Sequence, residues 1–280
     1  MQKIWICGSK GQIGSALTRL INTLEYELTD TDVDDVDVTR IDEVMRFGEM
    51  YRPDIIINCS GMTDTEACEK NPKQAYLVNA IGARNLSIIA QKVQAKMVQI
   101  SSDDVFDGDT DKPYTEYDVL NPKTVYGKSK AAGEAYVKEF TSKHFIIRSS
   151  WVYGKGNNFV KSVLDKIESG EALNIADNHI GSPTSATQLA RFILQLIKTN
   201  EYGTFHATNK GTCSRYEFAK EIEKIIGKDA NITGVPIEQS DFSTVRPKFA
   251  VLDNFVLDML QVYEFPTWQE SLAEYFQSKK

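Results

Sequence analysis

The sequence is short of cysteine, histidine, basic charge and long apolar runs, and each shortage excludes something. Its 280 residues hold four cysteines, Cys7, Cys59, Cys68 and Cys213, with no CxxC pair among them. The three histidines, His144, His179 and His206, are scattered. Neither set has metal-ligand spacing, so no metal site is predicted. Cys7 and Cys59 lie in apolar runs and read as small core residues, so a reduced cytoplasmic protein is expected. No apolar run is long enough to predict a membrane span. The glycine turn at Gly8 arrives too early for a signal peptide, which would be longer and apolar. Net charge is −7, with acids clustered at Asp30, Asp32, Asp34, Asp35 and Asp37. Nucleic-acid binding needs a basic footprint and is not expected. An anionic small ligand stays compatible, because one pocket can be basic within an acidic protein.

What is present is a globular composition, 41% hydrophobic and 25% charged. Short apolar runs at Lys3–Cys7, Tyr26–Leu28, Asp54–Cys59, Lys96–Ser101 and His144–Ser149 read as strands. Between them, Gln12–Thr23, Ile41–Tyr51, Pro72–Gln94 and Val125–Thr141 have helical periodicity, with Thr39 a candidate cap for the second. Continuous apolar strands alternating with helices predict a parallel sheet covered on both faces. That is an α/β, doubly wound Rossmann architecture. Residues 1–150 are expected to form this dinucleotide-binding domain. Residues 151–280 are expected to form a smaller C-terminal substrate lobe, with some segments returning to the sheet. There the helical segments are Ser185–Lys198, Ser214–Ile226 and Trp268–Gln277.

The first strand runs into Gly8, Gly11 and Gly14 and then into a helix. Glycines permit unusual backbone angles and let a pyrophosphate approach N–H groups, while the helix N-terminus favours an anion. This predicts dinucleotide binding. Asp30 and Asp32 follow near the spacing at which an acid takes the ribose hydroxyls of NAD. No Arg stands in Leu28–Val36 to take a 2′-phosphate, although Lys10 and Arg19 could. The cofactor is therefore NADH or NADPH, with the local residues leaning to NADH or dual use.

Ser101 and Ser102 end the fourth strand, and Tyr126 and Lys130 follow at i, i+4 on one face of a predicted helix. Reducing a carbonyl requires hydride on carbon and a proton on oxygen. A free tyrosine is a poor donor near neutrality. Lowering its pKa from about 10 to about 7 takes ~4 kcal/mol, which one cation at about 4 Å supplies at an effective dielectric near 20. Ser102 could hold the carbonyl in line. The Tyr-x-x-x-Lys spacing recurs at Tyr216/Lys220 and Tyr275/Lys279, but only Tyr126/Lys130 follows a strand ending in serine.

Further motifs are Asn58–Thr63 with Cys68-Glu69, Gln99–Gly108, Asn121-Pro122, Val125–Lys130, Arg148–Gly154, Asn158–Lys161, Gly181–Thr184 and Arg246-Pro247. Across nearly the whole chain these resemble the dTDP-4-dehydrorhamnose reductases, extended short-chain dehydrogenases. The resemblance implies NAD(P)H-dependent reduction of the 4-keto group of a nucleotide-linked deoxysugar. It implies that Gly8, Gly11, Gln12, Ile13 and Gly14 hold the pyrophosphate. Ser60, Gly61 and Thr63 line the nicotinamide side. Ser102, Tyr126 and Lys130 match the catalytic trio. Trp151 matches an aromatic residue that packs on the sugar, and Asn158 and Arg246 fall where the family meets the nucleotide-sugar. A homodimer is compatible with it. The chain departs from the family at Ser102-Asp103-Asp104, where Thr-Asp-Tyr is usual, at Gly61-Met62, and at Arg215, where Trp is frequent. Asp104 either points into the cleft and accepts from a sugar hydroxyl, turns away to solvent, or serves acid/base chemistry.

Two other readings compete. A nucleotide-sugar 4,6-dehydratase or epimerase shares this fold, and Ser102-Asp103-Asp104 is close to the hydroxyl-Asp-Glu sequence of dehydratases. A non-catalytic partner of methionine adenosyltransferase is the alternative outside enzymes, against which Ser102, Tyr126 and Lys130 argue.

Overall fold

The computed structural model describes residues 1–241 and 247–278. Six strands form the central sheet: β1 (Gln2–Cys7), β2 (Tyr26–Thr31), β3 (Ile55–Asn58), β4 (Lys96–Ser102), β5 (His144–Ser149) and β6 (Gly203–His206). All pair in parallel, in the order β2-β1-β3-β4-β5-β6. Strand alternation sorts the side chains to two faces. Ile4, Ile6, Ile55, Ile57, Phe145 and Ile147 share a core with the helices Gln12–Leu20 and Ala186–Leu196. Trp5, Cys7, Ile56, Met97 and Ile146 share another with Ile41–Tyr51 and Gly82–Val93. The sheet is therefore doubly wound and buried on both faces.

The chain after β5 divides. Helix Ala186–Leu196 and strand β6 belong to the central sheet and its cover. The helices Phe159–Ser169, Arg215–Ile226 and Trp268–Gln277 build a separate core around Val160, Val163, Leu173, Phe218, Ile222 and Leu272. Helices Phe159–Ser169, Thr65–Lys70 and Phe255–Leu260 add to the segments predicted above. The period of Val160, Val163 and Ile167 was visible, but the cap that starts this helix is Asn158, a residue that carried a ligand-contact reading instead. The long Pro72–Gln94 segment is one helical run whose turn Leu77–Ile81 is π-helical. Helix Ile41–Tyr51 starts at Arg40 without a side-chain cap, and Thr39 bonds back to Asp37 instead.

A buried ion pair ties the Val125–Phe140 helix to the sheet. Arg148, 2% exposed on β5, donates Nε to Glu134 Oε1 at 3.0 Å and an Nη to Oε2 at 2.7 Å. Ser101 Oγ also donates to this carboxylate, at 2.6 Å. The other Nη of Arg148 lies 3.3 Å from His206 Nε2. His206 is neutral: burial, then the neighbouring Arg148, pushes its pKa down to about 3. With Nε2 accepting, Nδ1 donates to the carbonyls of Tyr114 and Asp253 at 3.0 and 3.1 Å. The network joins β4, β5, β6 and the helix through fully paired groups. Arg148→Met leaves the Glu134 carboxylate buried without its cation, so stability is expected to fall by about 3–5 kcal/mol in urea unfolding. A loss below ~1 kcal/mol, the scale of an exposed pair, would contradict this role.

Candidate active site

The strand order reverses between β1 and β3, whose carboxyl ends border a crevice, the place where open α/β sheets bind ligands. A cleft of about 520 Å³ lies there, lined by Gly8, Lys10, Gly11, Asp32, Val33, Val36, Asp37, Val38, Thr39, Cys59, Ser60, Gly61, Met62, Gln74 and Val78. The turn after β1 is tightly built. Gly8 has φ +75°, and a Cβ there would sit 2.6 Å from Ser60 N. Gly8 N and Ser9 N both donate to Thr31 O, at 2.9 and 3.1 Å. Gly11 has no side chain to cap the helix Gln12–Leu20, so the first-turn N–H groups, including those of Gln12 and Ile13, face the turn without intrahelical acceptors. Gly14 is buried against Gly8 O.

The two acids expected near a ribose separate. Asp32 lines the cleft, but its oxygens accept from Lys10 N at 3.0 Å and Val33 N at 2.9 Å, bracing the glycine turn. Asp30 is an exposed β2 residue outside the cleft lining. Lys10 also lines the cleft, and its ammonium pairs with Asp34 at 3.0 Å. Arg19 donates to Thr187 on the helix Ala186–Leu196. Ser60 and Gly61 form the wall after β3, and exposed Thr63 follows just beyond them.

Helix Val125–Phe140 carries Tyr126 and Lys130 on successive turns, both buried. Thr124 caps it, accepting from Gly127 N at 2.9 Å. Gly127 allows it to meet β4's end directly, because a Cβ there would lie 1.9 Å from Asp104 O. Lys130 Nζ donates to Ile100 O at 2.6 Å and lies 3.8 Å from where a Gly61 Cβ would be. The ammonium therefore stands between the end of β4 and the cleft wall at Gly61. Burial lowers the Lys130 pKa to about 8, and the Glu134 carboxylate and Cys59 thiol oppose that shift. Asn79, in the π-helical turn, was missed by sequence reading. Its Oδ1 accepts from Met62 N, and its Nδ2 donates to Met62 O and Ser129 Oγ, at 2.9, 3.0 and 2.9 Å. It joins the loop after β3 to the helix of Tyr126. A buried Asn among Ala75, Ala80 and Ala83 was the available signal.

Ser102, at the end of β4, is register partner to Ser149 on β5, and Trp151 follows two residues beyond. Trp151 has φ +46°, a left-handed conformation rare for a bulky residue. Its ring is held between the backbone at Gly181 and the Arg215 guanidinium, 3.6 Å from the ring centroid, with His179 at its edge. Asp104 is 2% exposed, so it does not turn out to solvent. Asn158 caps helix Phe159–Ser169, accepting from Lys161 N at 3.2 Å and donating to Gly154 O and Gly156 O, each at 3.0 Å. Arg246 lies outside the described residues. Of the competing pairs, Lys220 bonds to Glu223 at the surface, Tyr275 donates to Gly154 O, and Lys279 lies outside the described residues. Among the described residues, no three His, Cys, Asp or Glu side chains converge as a metal site, and no helix is long and apolar enough to cross a membrane.

A parallel doubly wound sheet, a glycine turn at its switch point and a buried Tyr126/Lys130 helix face against the end of β4 accompany the class to which the chain belongs, the NAD(P)-dependent oxidoreductases of the extended short-chain type. The model of the RmlD substrate binding domain matches residues 1–280. The chain belongs to that family, the dTDP-4-dehydrorhamnose reductases. It is 36% identical to the spore coat polysaccharide biosynthesis protein SpsK of Bacillus subtilis over 280 residues, covering all of this chain and 98% of that one. A dTDP-4-dehydrorhamnose reductase from Clostridium acetobutylicum superposes with a TM-score of 0.97 at 40% identity, covering 99% of each chain. The Bacillus anthracis enzyme of that name, solved with NADP, gives 0.96 at 39% identity, covering 100% of each.

If Lys130 acts as an ammonium, turnover is lost on its deprotonation. With its pKa lowered to about 8, kcat/KM is expected to fall as pH rises through about 8. Lys130→Arg, which stays charged, should move that alkaline limb upward. A profile flat from neutrality to strongly alkaline pH would contradict the assignment.

Proposed function

We propose that this protein uses NADPH or NADH to reduce the 4-keto group of a nucleotide-linked deoxysugar, converting dTDP-4-dehydrorhamnose to dTDP-L-rhamnose. The observation that carries the reading is the buried Tyr126/Lys130 helix face seated against the end of β4 and beside the cleft wall at Gly61. The glycine turn fits a dinucleotide, because Gly8 and Gly11 put no side chain in the way of the first-turn N–H groups of Gln12 and Ile13, which have no intrahelical acceptor. Gly8, Gly11, Gln12, Ile13 and Gly14 hold the pyrophosphate. The reduced nicotinamide, when bound, supplies hydride to the sugar's C4. Tyr126 gives its hydroxyl proton to the keto oxygen. The Lys130 ammonium stabilises the tyrosinate left behind, as an adjacent opposite charge does.

Trp151, fixed beside the strand ends, walls the sugar, and Asp104 accepts from a sugar hydroxyl. Asn158 contributes by setting the 154–158 loop, which touches the glycine turn through Gln12 and Asn157. Arg246 takes the diphosphate through its planar fork of donors. Four free thiols fit a reducing, cytoplasmic setting. A relative named dTDP-4-dehydrorhamnose reductase, 31% identical over 97% of this chain, supports the reductase reading over dehydratase or epimerase.

The test is NADPH and NADH oxidation with a panel of dTDP-linked 4-keto sugars. One cofactor is expected to be consumed per sugar reduced. Loss of water from the sugar without net cofactor consumption would replace the reading with a dehydratase. Tyr126→Phe should lower kcat by about 10²–10⁴-fold while NADPH still binds by fluorescence titration. A variant that keeps more than about a tenth of the parent's turnover would remove Tyr126 as proton donor.

A further inference from the structure

A row of buried amides joins the cleft wall to Lys130. Asn58 ends β3 and is register partner to Gln99 on β4, and the two are 1% and 2% exposed. Ser60 N, in the cleft wall, donates to Asn58 Oδ1 at 3.0 Å. Asn58 Nδ2 donates to Gln99 Oε1 at 2.7 Å. Gln99 Nε2 donates to Ile100 O at 2.8 Å, and the same carbonyl receives Lys130 Nζ at 2.6 Å. Both ends of the row fix its direction. A backbone N–H only donates, so Asn58 turns its oxygen to Ser60. A backbone carbonyl only accepts, so Gln99 turns its nitrogen to Ile100. Each amide between them then has one orientation that satisfies both neighbours.

Buried amides are costly unless paired, and the strand otherwise fills this stretch with Met97, Val98 and Ile100. We propose that Asn58 and Gln99 are positioning residues for Lys130: they hold the Ile100 carbonyl on which its ammonium rests and face that ammonium with an amide donor, so that it stays directed to Tyr126 with no counter-charge on the β4 side. This rests on the reductase reading and deepens it. The other titratable and charged groups around Lys130 are accounted for. Tyr126 and Glu134 lie one turn to either side on its helix, Cys59 follows Asn58, and Asp103 and Asp104 follow β4. Glu134 is bound by Arg148 and Ser101, and Asp103 by Ser150. Burial lowers the Lys130 pKa to about 8 against the pull of Glu134 and Cys59, and the Gln99 amide adds no acceptor to reverse it.

The test exchanges the group that faces the ammonium. Gln99→Met removes the donor at similar length and should lower kcat by about tenfold, while NADPH affinity by fluorescence titration stays within about threefold. Gln99→Glu still accepts from Asn58 but sets a carboxylate beside Lys130. An adjacent opposite charge favours the ammonium, so the alkaline limb of kcat/KM should move up by about one pH unit or more. A merely structural role would leave that limb in place. In Lys130→Arg, whose guanidinium does not titrate in this range, Gln99→Glu should move nothing. If Gln99→Glu does not fold, Asn58→Asp serves: an acid there accepts from Ser60 N and from Gln99 Nε2, which turns the Gln99 oxygen toward Lys130 and moves the limb in the same direction. A kcat within about twofold of the parent in Gln99→Met, an unmoved limb in the folded acidic variant, or a limb that still moves in Lys130→Arg overturns the proposal. If Tyr126→Phe is inactive and any of these occurs, only this proposal fails. If Tyr126→Phe stays active, the reductase assignment beneath it fails.

Discussion

The site depends on one constraint: the helix Val125–Phe140 must lie almost in backbone contact with the end of β4. Gly127 permits the approach, since any side chain there would meet the Asp104 carbonyl. The Glu134–Arg148 pair then fixes the helix against β5, and His206 extends that hold to β6. Lys130 reaches Ile100 O, and Ser129 meets Asn79, only because the helix sits at this distance. A buried ion pair is weak evidence for net stability. Its value here is geometric. Both carboxylate oxygens and the guanidinium are engaged, so the helix has one low-energy seating.

The same closeness sets the electrostatics. Removing Lys130 from water weakens its hold on a proton, and Glu134, one turn along the helix, partly restores it. A lysine poised near neutrality can stabilise a tyrosinate without holding it so tightly that the proton never returns. The acidic surface of the protein has little part in this. Asp32, which a linear reading assigns to the ribose, spends its oxygens on the glycine turn. Asp103 is engaged with two serines. Acids near the site serve largely to hold backbone and hydroxyl groups in place.

The architecture was legible because each sheet strand is a short apolar run and each covering helix repeats its apolar positions. Ile55, Ile56 and Ile57 in succession could only be a strand buried on both sides. The glycine turn and the Tyr126/Lys130 spacing were legible because their chemistry is local. Asn79 was not, since its partners Met62 and Ser129 lie 17 and 50 residues away. Nor was the capping role of Asn158, because a short polar side chain that satisfies a helix cap looks the same in sequence as one that meets a ligand.

By itself the sequence determined the alternation of strands and helices, the glycine turn, and the i, i+4 face that carries Tyr126 and Lys130. These follow from local periodicity and from the conformations that glycine permits. Only the tertiary structure decided which acids face which groups, that Arg148 balances Glu134, that Trp151 is held by Arg215, and that Ser150 donates to Asp103. Those outcomes are hydrogen bonds and ion pairs between distant segments, whose strength depends on burial and on distances of a few ångströms. A linear pattern encodes neither until the chain has folded.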